Sequence, residues 1–400
     1  MTNSNLNPMP ETSVSLKRLI GKIEGDSPGP TIIFTGGIHG NEPAGIFAIK
    51  NVLKKINSSN KPVKGNIYGL KGNLPALENN QRYCTEDLNR LWTPDNVALL
   101  EKDQFKPGSS DEVQQAELFW ELKNIVTSNS GPFYFIDLHT TSSHTLPFLT
   151  VNDSLLNRKF IKNFPVISIL GIEEYLEGAL LSYINELGYV AFGFEGGEHR
   201  DPKAIENMES FIYLCLGVTG IMNKENVEFK FHFKKLQNLS SGLMDIYEIL
   251  SYYKIKNGEV FKMKPGYTNF QNIVKGEVLA TANSHTIRAR KNSKILMPLY
   301  QEQGDDGFYT VRKIPKIFLK LSAFLRKTRI DHILPFLPGI TWAGNNKTTL
   351  IVNTKITKFF SKQIFHLLGY RSRKLEERKY IIKNRESASR TIEYKSEPWY

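Results

Sequence analysis

Cysteine is almost missing from this chain: two in 400 residues, Cys84 and Cys215, far apart. That excludes a disulfide framework and suits a reducing compartment. No stretch approaches the roughly eighteen consecutive apolar residues that a membrane-crossing helix requires. The opening residues, MTNSNLNPMPETSVS, lack the basic segment and apolar run of a secretory signal, so a cytoplasmic protein is expected. Internal repeats and strict low-complexity tracts are also missing. Acidic residues are scarce in one place only. From Arg312 to Tyr400 there are 20 Lys+Arg against 6 Asp+Glu, whereas the rest of the chain holds 32 against 34. The net charge of +12 therefore belongs to the C-terminal stretch, and no nucleic-acid partner is expected for the protein as a whole.

What is present begins with alternation. Val14–Ile23 predicts an edge strand, Thr31–Thr35 a short buried strand, Ala44–Ile56 an amphipathic helix and Val63–Leu70 a second strand. Asp111–Val126 predicts a helix, and the continuous apolar run Phe133–Leu138 a strand buried on both faces. Strands over Leu146–Val151 and Tyr189–Phe194 and helices over Leu176–Leu187 and Pro202–Met222 complete the pattern. This is an α/β fold, a mixed sheet with helices on both faces, in residues 1–223. Short strand-like pieces between turns, starting with Val227–Phe233, predict a small β domain over 224–314. Residues 315–400 read as a basic, partly helical extension. One amphipathic face runs from Ile317 to Leu325 and a second from Ile356 to Leu368, and the residues from Arg371 onward are expected to pack poorly.

The chemistry-bearing residues fall just past the predicted strands, where open α/β sheets place their sites. His39 and Glu42 stand three apart at a strand-to-helix turn, and His139 follows the buried strand Phe133–Leu138. A His/Glu/His set can hold one catalytic zinc and leave a position open for water. Glu195, followed by two glycines, is the candidate to take a proton from that water. Arg82 and Arg90, with Asn89 between them in one loop, suit a carboxylate or a developing oxyanion. Singly, each has a plainer reading: a turn histidine, a helix-start acid, a solvated arginine. Together, at strand ends, they argue for a site.

The motifs HGNE (39–42), RYCTEDLNR (82–90), DLHTT (137–141) and FEGG (194–197), in that order, resemble the succinylglutamate desuccinylase/aspartoacylase family, a branch of the zinc-carboxypeptidase-like fold. PGYTNF, MPLYQ and GDDGFY extend the resemblance to about residue 314. It implies one Zn2+ per chain on His39, Glu42 and His139. It implies Glu195 as the base that activates water and then protonates the leaving amine. Arg82 would stabilise the oxyanion, Asn89 and Arg90 would hold a substrate carboxylate, and Asp87 would orient the loop or a ligand. A tyrosine of the β domain, Tyr300 or Tyr309, would reach the substrate. Some members carry a further substrate arginine before the base; here the only arginine between His144 and Glu195 is Arg158, outside any such motif.

The implied partner is a small acylated amine, and the implied reaction is removal of the acyl group. Two other readings stay open. One is a zinc carboxypeptidase-type enzyme acting on short or peptidoglycan-derived peptides. The other is a membrane-surface or scaffold protein whose functional part is 315–400, with peripheral membrane contact through that stretch.

Overall fold

The computed structural model describes residues 17–328, 330–344, 347–353, 362–376 and 379–400. The chain opens with strands β1 (Leu19–Glu24) and β2 (Ser27–Gly36), helix α1 (Ala44–Asn57) and strand β3 (Lys64–Lys71). Three helices follow, α2 (Leu74–Glu78), α3 (Pro94–Glu101) and α4 (Ser110–Ser128), leading to β4 (Phe133–Thr141). Then come β5 (Phe148–Val151), α5 (Leu155–Ile161), β6 (Ile167–Leu170), α6 (Leu180–Glu186), β7 (Val190–Glu198) and α7 (Lys203–Val218). This is the expected α/β layer. The helices α2, α3 and α5 and the strand β6 lie in stretches too short or too polar to show a clear period.

Four strands, β3, β2, β4 and β7, run parallel in that order, with β1 antiparallel at the edge of β3. Every residue of β4 is buried, as the continuous apolar run predicted. One face of the sheet packs on α1 and α7 through Phe34, Ile49, Phe192 and Phe211. The other packs on α3, α4 and α6 through Ile33, Phe119, Leu122 and Phe135.

Past residue 223 the sequence reading needs correction. The strand expected over Val227–Phe233 is a turn that leads into a helix, α8 (Phe229–Leu239). The alternating Phe and Lys of FKFHFKK imitate a strand locally. Over eleven residues, however, Phe229, Phe233 and Leu236 share one helical face and pack on the core, while Phe231 stays exposed. The strands that follow are β8 (Ile246–Lys254), β9 (Phe261–Met263), β10 (Asn272–Ile273), β11 (Val278–Ala282), β12 (His285–Arg288), β13 (Ser293–Leu296) and β14 (Asp306–Lys313). Of these, β8, β14, β13 and β10 extend the main sheet beyond β6 to eleven strands, and β9, β11 and β12 form a small sheet of their own.

The C-terminal stretch departs furthest from expectation. Helix α9 (Lys316–Lys327) forms as its periodicity predicts. Of the second predicted helix only α10 (Lys362–Leu367) is described; residues 354–361 lie outside the described residues. Strands β15 (Ile340–Trp342), β16 (Thr349–Asn353), β17 (Tyr370–Glu376) and β18 (Lys379–Asn384) make a four-stranded antiparallel sheet. The final residues do not pack poorly. The Tyr394 hydroxyl, fully buried, donates to the Phe133 carbonyl (2.5 Å) and accepts from the Val190 N–H (3.0 Å). The Trp399 indole donates to the Tyr134 hydroxyl at 2.8 Å. The chain end is thus bonded to β4 and β7 near their starts. Its charges misled the reading, because Tyr394, Trp399 and Tyr400 pack on the core and Arg385 is buried against Asp153 rather than solvated.

Candidate metal centre and active site

The turn after β2 is shaped by close approach. At Gly40 a Cβ would lie 2.1 Å from the Ala76 carbonyl carbon of α2, so only glycine fits between His39 and Glu42. Gly37, with φ of +72°, makes the bend that leaves β2. Both side chains turn inward and are buried. Register supplies the rest: β4 lies parallel to β7 with His139 opposite Glu195. The third candidate ligand and the candidate base, 56 positions apart in the chain, are therefore cross-strand neighbours.

His39, Glu42 and His139 bring their donor atoms within 4.8 Å of one another, all three residues buried. Glu42 sits between the imidazoles, with Oε1 2.9 Å from His39 Nδ1 and Oε2 3.0 Å from His139 Nδ1. The far nitrogens are each held by a carboxylate. His39 Nε2 lies 3.2 Å from Asp87 and His139 Nε2 2.5 Å from Asp137. Such partners fix an imidazole's orientation and tautomer, leaving both Nδ1 atoms turned toward Glu42. Asp137, one strand step before His139, also accepts from the Thr35 hydroxyl (2.7 Å).

The electrostatics fit a cation. Burial alone would lower the His139 pKa, but Asp137 and Glu42 hold it well above the ordinary imidazole value. Burial alone would raise Glu42 and Asp87. His39 and His139 outweigh it for Glu42, and His39, Arg82 and Arg90 for Asp87, so both carboxyls stay well below their usual range. Glu42, Asp87 and Asp137 outnumber the one guanidinium bonded among them, that of Arg82, and a divalent ion on this donor set would supply positive charge there.

Glu195 differs from these acids. It is buried, and among the described residues its Oε2 has no hydrogen-bond partner. Burial, with Glu42 and Asp137 adding to it against His139 and Arg82, pushes its pKa up to about 8. A carboxyl so poised beside a cation site, with one oxygen uncommitted, is suited to exchanging a proton with substrate or water.

Arg82 reaches Asp87 (3.1 Å) and Glu42 (3.4 Å) and lines the cleft. Arg90 also lines it, but its guanidinium is already paired with Asp306 of β14 at 2.5 Å. The Asn89 side-chain oxygen accepts from the Leu180 N–H at 2.9 Å, so this residue also ties the loop to α6. Of the two tyrosines, Tyr309 is buried and lines the cleft. Tyr300 is exposed, and its hydroxyl donates to the Lys264 carbonyl (2.7 Å) and accepts from the Tyr267 N–H (2.9 Å). It is not among the cleft's lining residues.

Other lining residues are not marked as catalytic by the sequence, where His199, close after FEGG, reads only as a structural or rim residue. His199 bonds Thr140 (2.7 Å) and Gln301 (2.9 Å), and Gln301 also accepts from Asn41 (2.9 Å). Glu173 also lines the cleft, buried, with one oxygen unbonded among the described residues. No local spacing marks these residues; only the fold brings them together. Arg158 is explained as well. It is buried and bonded to Asp153 at 2.9 Å, outside the lining of this cleft.

Comparison with known proteins meets this geometry. Residues 28–211 match the family model described as the succinylglutamate desuccinylase/aspartoacylase catalytic domain. Succinylglutamate desuccinylase of Photorhabdus laumondii is 37% identical over 144 residues, 34% of this chain and 40% of that enzyme. The Yersinia pestis enzyme of the same name is 26% identical over 110 residues, 28% of this chain and 32% of its own length. The chain thus spans less than half the length of these curated relatives. Among solved structures, a succinylglutamate desuccinylase/aspartoacylase from Rhodobacter sphaeroides aligns with a TM-score of 0.53 at 16% identity, over 73% of this chain and 88% of that one. The succinylglutamate desuccinylase from Chromobacterium violaceum gives 0.52 at 17%, over 74% and 88%. At such identities these two establish the shared fold.

Proposed function

We propose that this chain, whose residues 28–211 form a catalytic domain of the succinylglutamate desuccinylase/aspartoacylase family, is a zinc-dependent amidohydrolase that removes an acyl group from an N-acylated amino acid or a similar small amide. The observation that carries this reading is one pairing. Glu195, with a buried oxygen unbonded among the described residues and a pKa near neutrality, stands across from His139 beside a three-donor set.

His39, Glu42 and His139 would hold the ion, which supplies Lewis acidity and a water of lowered pKa. Glu195 takes the proton from the attacking water and returns it to the leaving nitrogen as the carbon–nitrogen bond breaks. Arg82, held from both sides by Asp87 and Glu42, keeps its guanidinium in place to stabilise the oxyanion. Arg90, pinned by Asp306, orients a substrate carboxylate together with Asn89. Tyr309 closes the cleft from β14, and burial raises the pKa of its hydroxyl, which keeps it a donor at neutral pH.

The test is a metal-content measurement joined to a screen of N-acyl amino acids and short peptides, with His39→Ala as control. Stoichiometric zinc, hydrolysis of an acyl-amino acid and loss of both in the variant are expected. A protein that cleaves peptides but no acyl-amino acid would replace this reading with a peptidase.

A further inference from the structure

Helix α9 is turned inside out. Its residues Ser322 and Arg326, one turn apart, face the protein and are buried. The Ser322 hydroxyl donates to the Leu367 carbonyl at 2.9 Å. The Arg326 guanidinium reaches Asp153 at 2.8 Å and Glu386 at 3.0 Å. Leu319 packs beside them on the main core and Leu325 on that of the C-terminal sheet, so the inner side is mixed, and the other apolar residues are left outward. Ile317 is 71% exposed, Phe318 47%, Leu321 41% and Phe324 60%, and Phe336, in the turn beyond, is 87% exposed. With Ile330 and Ile333, also exposed, seven large apolar side chains lie open within twenty residues, more than ordinary surface scatter.

The border of this stripe carries charge of one sign. At 100° per residue Lys316, Lys320 and Lys327 fall together along one edge of the line through Ile317, Leu321 and Phe324. The stretch from Arg312 onward holds the molecule's whole positive surplus. No described helix is long and apolar enough to cross a membrane, so insertion across the bilayer is not on offer for α9. A fixed apolar stripe edged by lysines has the form of an interfacial helix, whose lysine stems lie along the apolar boundary while their ammonium groups reach the headgroups.

We propose that α9 and the turn carrying Phe336 form a docking surface for an anionic lipid bilayer, with Phe318, Leu321 and Phe324 entering the interface and the lysine edge meeting the headgroups. Charge complementarity selects an anionic lipid surface over a second copy of this chain, since α9 carries no acidic residue to meet another copy's lysine edge. The proposal is independent of the hydrolytic reading, because no residue of the stripe lines the cleft.

The test is flotation of the full chain with vesicles of phosphatidylcholine alone and of phosphatidylcholine with phosphatidylglycerol, at low and high salt. Two variants accompany it, Leu321→Asp/Phe324→Asp and Lys316→Glu/Lys320→Glu, and thermal melting checks that each still folds. Each lysine near an anionic surface is worth about fivefold in binding. The wild type should bind the anionic vesicles, bind less at high salt, and lose about tenfold or more in either variant. Failure of the wild type to float with anionic vesicles, or binding by either folded variant equal to that of the wild type, overturns the proposal. So does a wild-type dimer that binds no vesicles and that Leu321→Asp/Phe324→Asp splits, since the face would then belong to a second copy.

Discussion

Glu195 and its neighbours carry the most exacting predictions at the scale of single residues. Removing the carboxylate while keeping its shape should separate chemistry from metal binding. Glu195→Gln is expected to keep its metal content and lose about 10²–10⁴-fold in turnover, read by elemental analysis beside a hydrolysis assay. The pH profile should follow the same group. The base works deprotonated, so activity should fall as pH drops through the pKa of Glu195. Burial sets that value at about 8 in the absence of an ion; a bound cation lowers it by favouring the carboxylate. The acid limb of kcat/KM should therefore lie below pH 8, and Asp137→Asn, which removes one of the negative charges acting on Glu195, should move it lower still. Tyr309→Phe and Tyr300→Phe offer a cleaner comparison. Tyr309 lines the cleft and Tyr300 is bonded outside it, so the first should impair activity and the second leave kinetics unchanged.

At the scale of elements, the join between the catalytic layer and the C-terminal stretch depends on Asp153. Its carboxylate lies at the start of α5, preceding the capping residue Ser154. It accepts from Arg158 of α5, Arg326 of α9 and Arg385 just after β18. Burial alone would raise its pKa, but the three guanidiniums hold it well below the usual carboxylate range. A group depressed in this way contributes its full stability above the ordinary carboxylate pKa, and loses it as pH falls toward the folded value. The wild type should accordingly weaken as pH drops below about 4. Asp153→Asn should cost on the order of 3–5 kcal/mol at pH 7, because it leaves buried Arg158 without its charge partner while Arg326 keeps Glu386 and Arg385 keeps Glu173, and should show a flatter acid dependence. Urea denaturation at the two pH values checks both statements.

For the whole molecule, the C-terminal stretch is part of the folded body. Tyr394 belongs to the same core as α1, β4 and α7, and Trp399 and Tyr400 pack against that core. Lys159 of α5 stands over the Tyr400 ring at 3.3 Å. Deleting residues 315–400 would uncover β4 and β7 from behind, the two strands that position His139 and Glu195. The truncated chain should aggregate or melt far below the full chain, which thermal denaturation and size-exclusion chromatography would show. A truncation that stays monomeric and active would mean that the catalytic layer closes without it.

The sequence by itself determined the α/β layer and named the residues of the candidate site. Runs such as Phe133–Leu138 are strands because every position is apolar, and HGNE marks a turn because glycine and a small polar set fit nothing else there. Those signals are local, and local physics reads them. Tertiary structure alone decided which face α9 shows to solvent, that FKFHFKK is helical, and that Arg158 serves Asp153. It also put Tyr309 rather than Tyr300 on the cleft and lined that cleft with Glu173 and His199. Each of these depends on a partner far away in the chain, and periodicity along the chain carries no record of which distant residue will be met. A helix face rich in Phe and Leu looks like core until a buried arginine on its other side is found bonded to Asp153. The same composition then becomes a surface.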